Sequence, residues 1–259
     1  MNRIEKVFKK LKAQNKKAFI PYIMAGDPSL EKTKEIVLMF EECGADIVEL
    51  GVPFTDPLAD GPTIQRAAER ALKNGVTLKK VIALVKDLRQ KTKIPLVLMT
   101  YYNPVFKYGE ERFIADAKDA GVDGVIIPDL PPDEAGEFTR LAKNADVASI
   151  FLLAPTSTDE RIKKVARAST GFIYYVSITG ITGAQLLLDG SIEKSINGIR
   201  RITDKPIAVG FGVSTPDEAK AVAGVSDGVV IGSAIVKKAQ LSLEKELRDF
   251  LLTLREAIK

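Results

Sequence analysis

Glu49 is a carboxylate standing where an apolar residue is expected. It belongs to Ile47-Val48-Glu49-Leu50, a short apolar run bounded by turn signals, and such a run reads as a strand buried on both faces. A charge there is costly without a task or a partner. Gly44-Ala45-Asp46-Ile47-Val48-Glu49 is repeated as Gly121-Val122-Asp123-Gly124-Val125-Ile126 and, more loosely, as Val225-Ser226-Asp227-Gly228-Val229-Val230, so the copies carry Ile126 and Val230 where Glu49 stands. Alternation along the strand puts Ile47 and Glu49 on one face, and the aligned apolar residues make it the interior. Burial there raises a carboxyl's pKa and yields a group that can both donate and accept a proton near neutrality.

Asp60 follows in the loop Thr55-Asp56-Pro57-Leu58-Ala59-Asp60-Gly61-Pro62. An Asp before Gly is ordinary turn chemistry; equally, two carboxylates facing one pocket in different surroundings can divide acid and base work. Taken alone, the loop leaves both readings open. Asp27, Asp56 and Asp129 occupy comparable loops and read as turn, cap or interface residues ahead of catalysis. Three glycine clusters come late in the chain: Thr182-Gly183, Gly210-Phe211-Gly212 and Gly232-Ser233. Glycine lets backbone N–H groups approach an anion, and barrels frequently bind phosphate with the loops after strands seven and eight. Tyr22, Tyr101, Tyr174 and Phe211 lie near strand ends, where they line a flat apolar pocket or pack its rim.

What the chain lacks narrows the chemistry. It has no histidine, which excludes Ser-His-Asp and Cys-His catalysis and every His-ligated metal site, and no metal site is expected. Cys43 is the only cysteine, so there is no internal disulfide; it reads as a small apolar residue at a helix end and fits a reducing compartment. The 38 basic and 34 acidic residues are interspersed for a net charge of +4, which argues against a nucleic-acid footprint. No stretch has the make-up of a signal peptide or a membrane span, and a cytoplasmic protein is expected.

Eight apolar runs carry these residues: Ala18 to Met24, Ile47 to Leu50, Ile94 to Thr100, Gly124 to Ile127, Ala148 to Leu153, Phe172 to Ser177, Pro206 to Gly210 and Gly228 to Ile231. Amphipathic helical patterns separate them, among them Leu30 to Glu42, Leu78 to Lys91, Asp133 to Lys143 and Leu243 to Lys259. Ser29, Thr77, Ser157 or Thr158, and Thr215 supply N-cap signals. Strict alternation over eight units predicts an α/β chain folded as a single (βα)8 TIM barrel over residues 1–259. An additional N-terminal helix with Ile4, Val7, Phe8 and Leu11 at helical spacing closes its bottom. The first strand lacks a dinucleotide-binding glycine fingerprint, which disfavours an open doubly wound sheet.

The run from Val48-Glu49-Leu50-Gly51-Val52-Pro53-Phe54 through Asp56-Pro57-Leu58-Ala59-Asp60-Gly61-Pro62-Thr63-Ile64-Gln65 resembles the tryptophan synthase alpha chain family. So do Ile20-Pro21-Tyr22, Ala25-Gly26-Asp27-Pro28 and the glycine clusters, over essentially the full length. The resemblance implies a (βα)8 lyase that cleaves indole-3-glycerol phosphate by retro-aldol chemistry to indole and glyceraldehyde 3-phosphate. Glu49 is then the acid/base and Asp60 the partner of the indole N–H. Tyr101 and Tyr174 would flank the indole, Gly183, Gly210, Gly212, Gly232 and Ser233 would cradle the phosphate, and Tyr22 and Phe211 are further substrate-binding candidates. It further implies a beta chain in an alpha2-beta2 heterotetramer, faced by Pro53, Asp56, Pro57 and Asn103, with pyridoxal phosphate held by that partner and no cofactor here. The segment from Ser177 to Leu188 corresponds to a lid, and Ile178-Thr179 departs from relatives that carry a basic residue there.

Overall fold

The computed structural model describes residues 1–177, 190–210, 212–241 and 244–259. Gly183 and Phe211, and positions 178–188 of the expected lid, lie outside the described residues.

Among the described residues, nine parallel strand segments alternate with helices: β1 (Ala18–Met24), β2 (Val48–Gly51), β3 (Leu96–Met99), β4 (Gly124–Ile126), β5 (Ala148–Ile150), β6 (Leu152–Leu153), β7 (Ile173–Val176), β8 (Ile207–Gly210) and β9 (Gly228–Ile231). The hydrogen-bonded order is β5-β4-β3-β2-β1-β9-β8-β7-β6. Since β5 and β6 are consecutive in the chain, separated by Phe151 alone, the series is a ring, and the eight expected strands are all present. The run Ala148 to Leu153 is divided because its halves bond opposite neighbours, β5 to β4 and β6 to β7. A Thr170 hydroxyl accepting from Ser149 N–H and a Ser169 hydroxyl accepting from Phe151 N–H bridge the divided stretch.

The helices among the described residues are α1 (Arg3–Ala13), α2 (Leu30–Glu42), α3 (Pro62–Lys73), α4 (Leu78–Leu88), α5 (Tyr102–Tyr108), α6 (Glu110–Ala120), α7 (Gly136–Asn144), α8 (Asp159–Ala168), α9 (Ser191–Arg200), α10 (Pro216–Val225), α11 (Ser233–Gln240) and α12 (Glu244–Ile258). Ser29, Thr77, Thr158 and Thr215 each accept a first-turn N–H, and Thr215 with Glu218 forms a reciprocal capping box. Ser157 instead accepts from Ala154 N–H. Helix α7 begins three residues later than the pattern suggested, because Glu134 and Ala135 first turn back onto the Pro131 carbonyl.

The bottom of the ring is closed as expected. Ile4, Phe8 and Leu11 of α1 are buried, and a Cβ placed on Gly124 would meet Ile4 Cδ1 at 2.9 Å. The repeated Asp46, Asp123 and Asp227 do a common job at this end. Each bonds a neighbouring strand's first turn of backbone twice: its N–H reaches a carbonyl (Phe19, Leu96, Ile207) and its carboxylate accepts the same residue's N–H, at 2.9 Å in all three cases. Arg255, Arg89 and Arg200 pair with these carboxylates at 3.0, 2.6 and 3.2 Å. Cys43 is buried at the C-cap of α2, and burial pushes its thiol up, which keeps it inert.

Candidate active site

The opposite end of the ring, at the C-terminal ends of the strands, holds a cavity of about 160 Å³. Strand β2 delivers Glu49 into it. Cross-strand register sets Glu49 level with Tyr22 of β1 and Val97 of β3. Gly51 and Gly210 are glycine for space: a Cβ on Gly51 would lie 2.0 Å from the Tyr22 hydroxyl, and one on Gly210 would lie 2.2 Å from that of Tyr174. Both tyrosines line the cavity beside Glu49 and Asp60. Burial, with the two carboxylates nearby, pushes both hydroxyls up, so they remain neutral donors.

Glu49 is 1% exposed, and neither carboxyl oxygen has a hydrogen-bond partner among the described residues. Desolvation first, and the Asp60 charge second, push it up to about 8. At neutral pH it is therefore mainly a carboxylic acid, one step from being a base. Asp60 is pushed up by burial only to about 6, because a hydrogen bond from the Tyr101 hydroxyl favours its anion. Two carboxyl groups in one cavity thus differ in charge near pH 7, which suits one to give a proton and the other to hold a cation.

Another part of the cavity wall presents the N-terminus of a helix. Helix α11 starts at the cavity with Gly232 as N-cap and Ser233 as first residue; its first N–H groups have no acceptor within the helix. Gly212, at φ +81°, turns the chain so that Val213 and Ser214 also face the cavity. No Lys or Arg lines it among the described residues, and the polar groups it offers there are backbone N–H groups at a helix start and serine hydroxyls.

Of the residues expected at the site, Glu49, Asp60, Tyr22, Tyr174, Gly212, Gly232 and Ser233 come together around the cavity, with Gly210 beneath Tyr174. Tyr101 is buried but stands behind the Asp60 loop, its ring 5.3 Å from that of Phe54. Gly61, Ile64, Met99, Val213, Ser214 and Val230 complete the lining, none of them expected there. Val230 was legible only as the apolar counterpart of Glu49 in the third repeat. Of the partner-facing residues, Asp56 and Asn103 are exposed and Pro57 is half-buried, while Pro53 is buried under the loop. Asp27 is a clamp: its carboxylate takes two bonds of 2.7 Å from Arg70 of α3. Asp129 accepts the Tyr102 N–H at 2.9 Å.

A closed (βα)8 ring carries at one end a cavity that holds a buried acid unpaired among the described residues, a second carboxylate and a helix N-terminus. Comparison with known proteins makes this specific. The family model "Tryptophan synthase alpha chain" matches residues 8–256. The tryptophan synthase alpha chain of Geotalea daltonii is 52% identical over 259 residues, covering 100% of this chain and 98% of that one. That of Caldanaerobacter subterraneus subsp. tengcongensis is 47% identical over 263 residues, covering both chains fully. Among solved structures, tryptophan synthase subunit alpha from Legionella pneumophila superposes with a TM-score of 0.91 at 37% identity, covering 100% of this chain and 98% of that one. Tryptophan synthase from M. tuberculosis in an aminoacrylate-bound form gives 0.91 at 35%, covering 100% of both chains. The chain belongs to the tryptophan synthase alpha chain family. It is a lyase of tryptophan biosynthesis that cleaves indole-3-glycerol phosphate.

Proposed function

We propose that Glu49 and Asp60 carry the cleavage chemistry, within one barrel domain spanning residues 1–259. The observation that carries this reading is Glu49 itself, a buried acid at the cavity whose oxygens accept no bond from any described residue. Glu49 as the acid protonates the indole ring carbon that bears the glycerol side chain. The ring nitrogen takes up the positive charge, and the Asp60 carboxylate accepts its N–H. Glu49, now a carboxylate, removes the proton of the side-chain hydroxyl next to the ring. That O–H electron pair becomes the C=O of glyceraldehyde 3-phosphate, and the pair of the breaking carbon–carbon bond returns to the ring as neutral indole. The protonated ring is its own electron sink, so the step needs neither a lysine adduct nor a cofactor.

Tyr22, Tyr174, Met99 and Ile64 bound the indole end, and Gly212, Gly232 and Ser233 serve the phosphate end; parts for Gly183, Gly210 and Phe211 rest on the family resemblance alone, Gly183 and Phe211 lying outside the described residues. The partner is a tryptophan synthase beta chain, in an alpha2-beta2 complex whose pyridoxal phosphate that partner holds. Asp56, Pro57 and Asn103 face it, together with Leu58 and Phe106, which are 94% and 66% exposed at the same end of the ring. Among the described residues no helix is long and apolar enough to cross a membrane. The cytoplasm is the compartment that fits a pathway enzyme with a single buried thiol.

Glu49→Gln tests the reading. The variant is expected to keep its fold and its affinity for glycerol 3-phosphate while indole release falls by about 100- to 10,000-fold. Full activity in that variant would overturn the assignment.

A further inference from the structure

The Tyr101 hydroxyl sits between two parts of one loop. It accepts the Ala59 N–H at 3.0 Å and donates to Asp60 Oδ2 at 3.1 Å. The ring behind it is fixed, being 4% exposed and packed on Phe54, and the next residue's N–H is tied to Asp129. The Asp60 main chain is held separately: its N–H donates to the Pro57 carbonyl at 3.0 Å, and its carbonyl accepts from the Gln65 amide at 2.9 Å. Main-chain bonds place the residue and leave the direction of its carboxylate to be set by a side-chain contact. Asp60 lines the cavity, whereas Tyr101 does not.

We propose that Tyr101 is a positioning residue for Asp60: its hydroxyl aims that carboxylate into the cavity and stabilises the anion, without forming part of the indole wall. The inference rests on the role assigned to Asp60 above. A hydrogen bond to the charged form opposes burial, and the balance leaves Asp60 at about 6 where burial alone would put it higher. Losing the hydroxyl therefore lowers the ionised fraction of Asp60 at neutral pH before it costs any packing.

Carboxyl carbon-13 NMR of the full chain, with the Asp60 signal assigned by its loss in Asp60→Asn, reads the titration whether or not substrate turns over. In Tyr101→Phe the Asp60 titration is expected about one pH unit higher. With 3-fluorotyrosine at position 101, whose more acidic hydroxyl donates more strongly, it is expected lower. An Asp60 titration unmoved by either change overturns the proposal. The acidic limb of kcat/KM for indole release should follow the titration, while KM at pH 8, where Asp60 is ionised in each protein, stays within about twofold. A raised KM at pH 8 with an unmoved acidic limb would return Tyr101 to the substrate wall. Failure of the wild type to release indole would count against the functional assignment alone, since the NMR titration is independent of it.

Discussion

An ionisable group buried without a partner lowers stability, and Glu49, which has no hydrogen-bond partner among the described residues, has the sign of such a group. Its folded pKa of about 8 lies above the ordinary 4.5, so between those values the folded chain keeps a proton that the unfolded chain has released. The native state is then fully favoured below about pH 4.5 and loses stability as pH rises towards 8, by on the order of 5 kcal/mol in all. Gln keeps the shape without the titration. Urea unfolding of Glu49→Gln should thus show a gain over wild type of under about 1 kcal/mol at pH 5 and on the order of 2–4 kcal/mol at pH 8, less whatever its buried amide costs. Parallel pH dependences in the two proteins would mean that Glu49 is better solvated than its burial indicates. The same physics made Glu49 legible in the sequence, because a charge interrupts an apolar run. Met99, Ile64 and Val230 line the same cavity but leave no such mark, being apolar residues in apolar surroundings. The Tyr101 contact with Asp60 spans 41 positions of chain, and no local pattern encodes it.

At the scale of elements, strands and caps could be read because their signals are local: alternation of runs, Ser or Thr before a helix, Gly where φ turns positive, as at Gly121. Helix α5 is not among the helical patterns legible in the sequence; Pro104 lies in its first turn, where a missing N–H is harmless. The break in the fifth strand was invisible because it depends on which neighbours each half meets. Pairing across strands also explains a glycine that local sequence does not. Gly51 lies opposite Met24 in the β1–β2 ladder, and a Cβ there would strike the Tyr22 hydroxyl at 2.0 Å and its ring carbon Cζ at 2.7 Å. Gly51→Ala is expected to push the Tyr22 ring out of place, lowering indole release at a stability cost of about 1–3 kcal/mol. Adding Tyr22→Phe removes the nearer of the two clashes and should recover part of that stability, which denaturation midpoints of the single and double variants would show. Full additivity of the two substitutions would contradict a direct contact.

Across the whole molecule the two ends of the ring carry different duties, and the triplicated sequence pattern shows the division most directly. Asp46, Asp123 and Asp227 recur at one end as backbone clasps, whereas the position three residues further on is Glu49 in one copy and apolar Ile126 or Val230 in the others. The repeat thus keeps its structural residue and varies the one that reaches the opposite face, as a barrel with catalysis confined to the C-terminal ends of its strands requires. Asp123 tests the separation, because it is 3% exposed and ties together Arg89, Arg3 and the first N–H of β3. Arg89 is itself largely buried and also donates to the carbonyls of Gly121 and Ile94, so it cannot follow a lost partner into solvent. Asp123→Ala leaves that guanidinium uncompensated and should destabilise the fold by about 3–5 kcal/mol in urea or thermal unfolding. Well below its own transition, the variant should cleave indole-3-glycerol phosphate with kcat and KM within about twofold of wild type, since the clasp and the cavity share no side chain. A large change in KM at unchanged stability would instead mean that the bottom of the ring sets the geometry at its top.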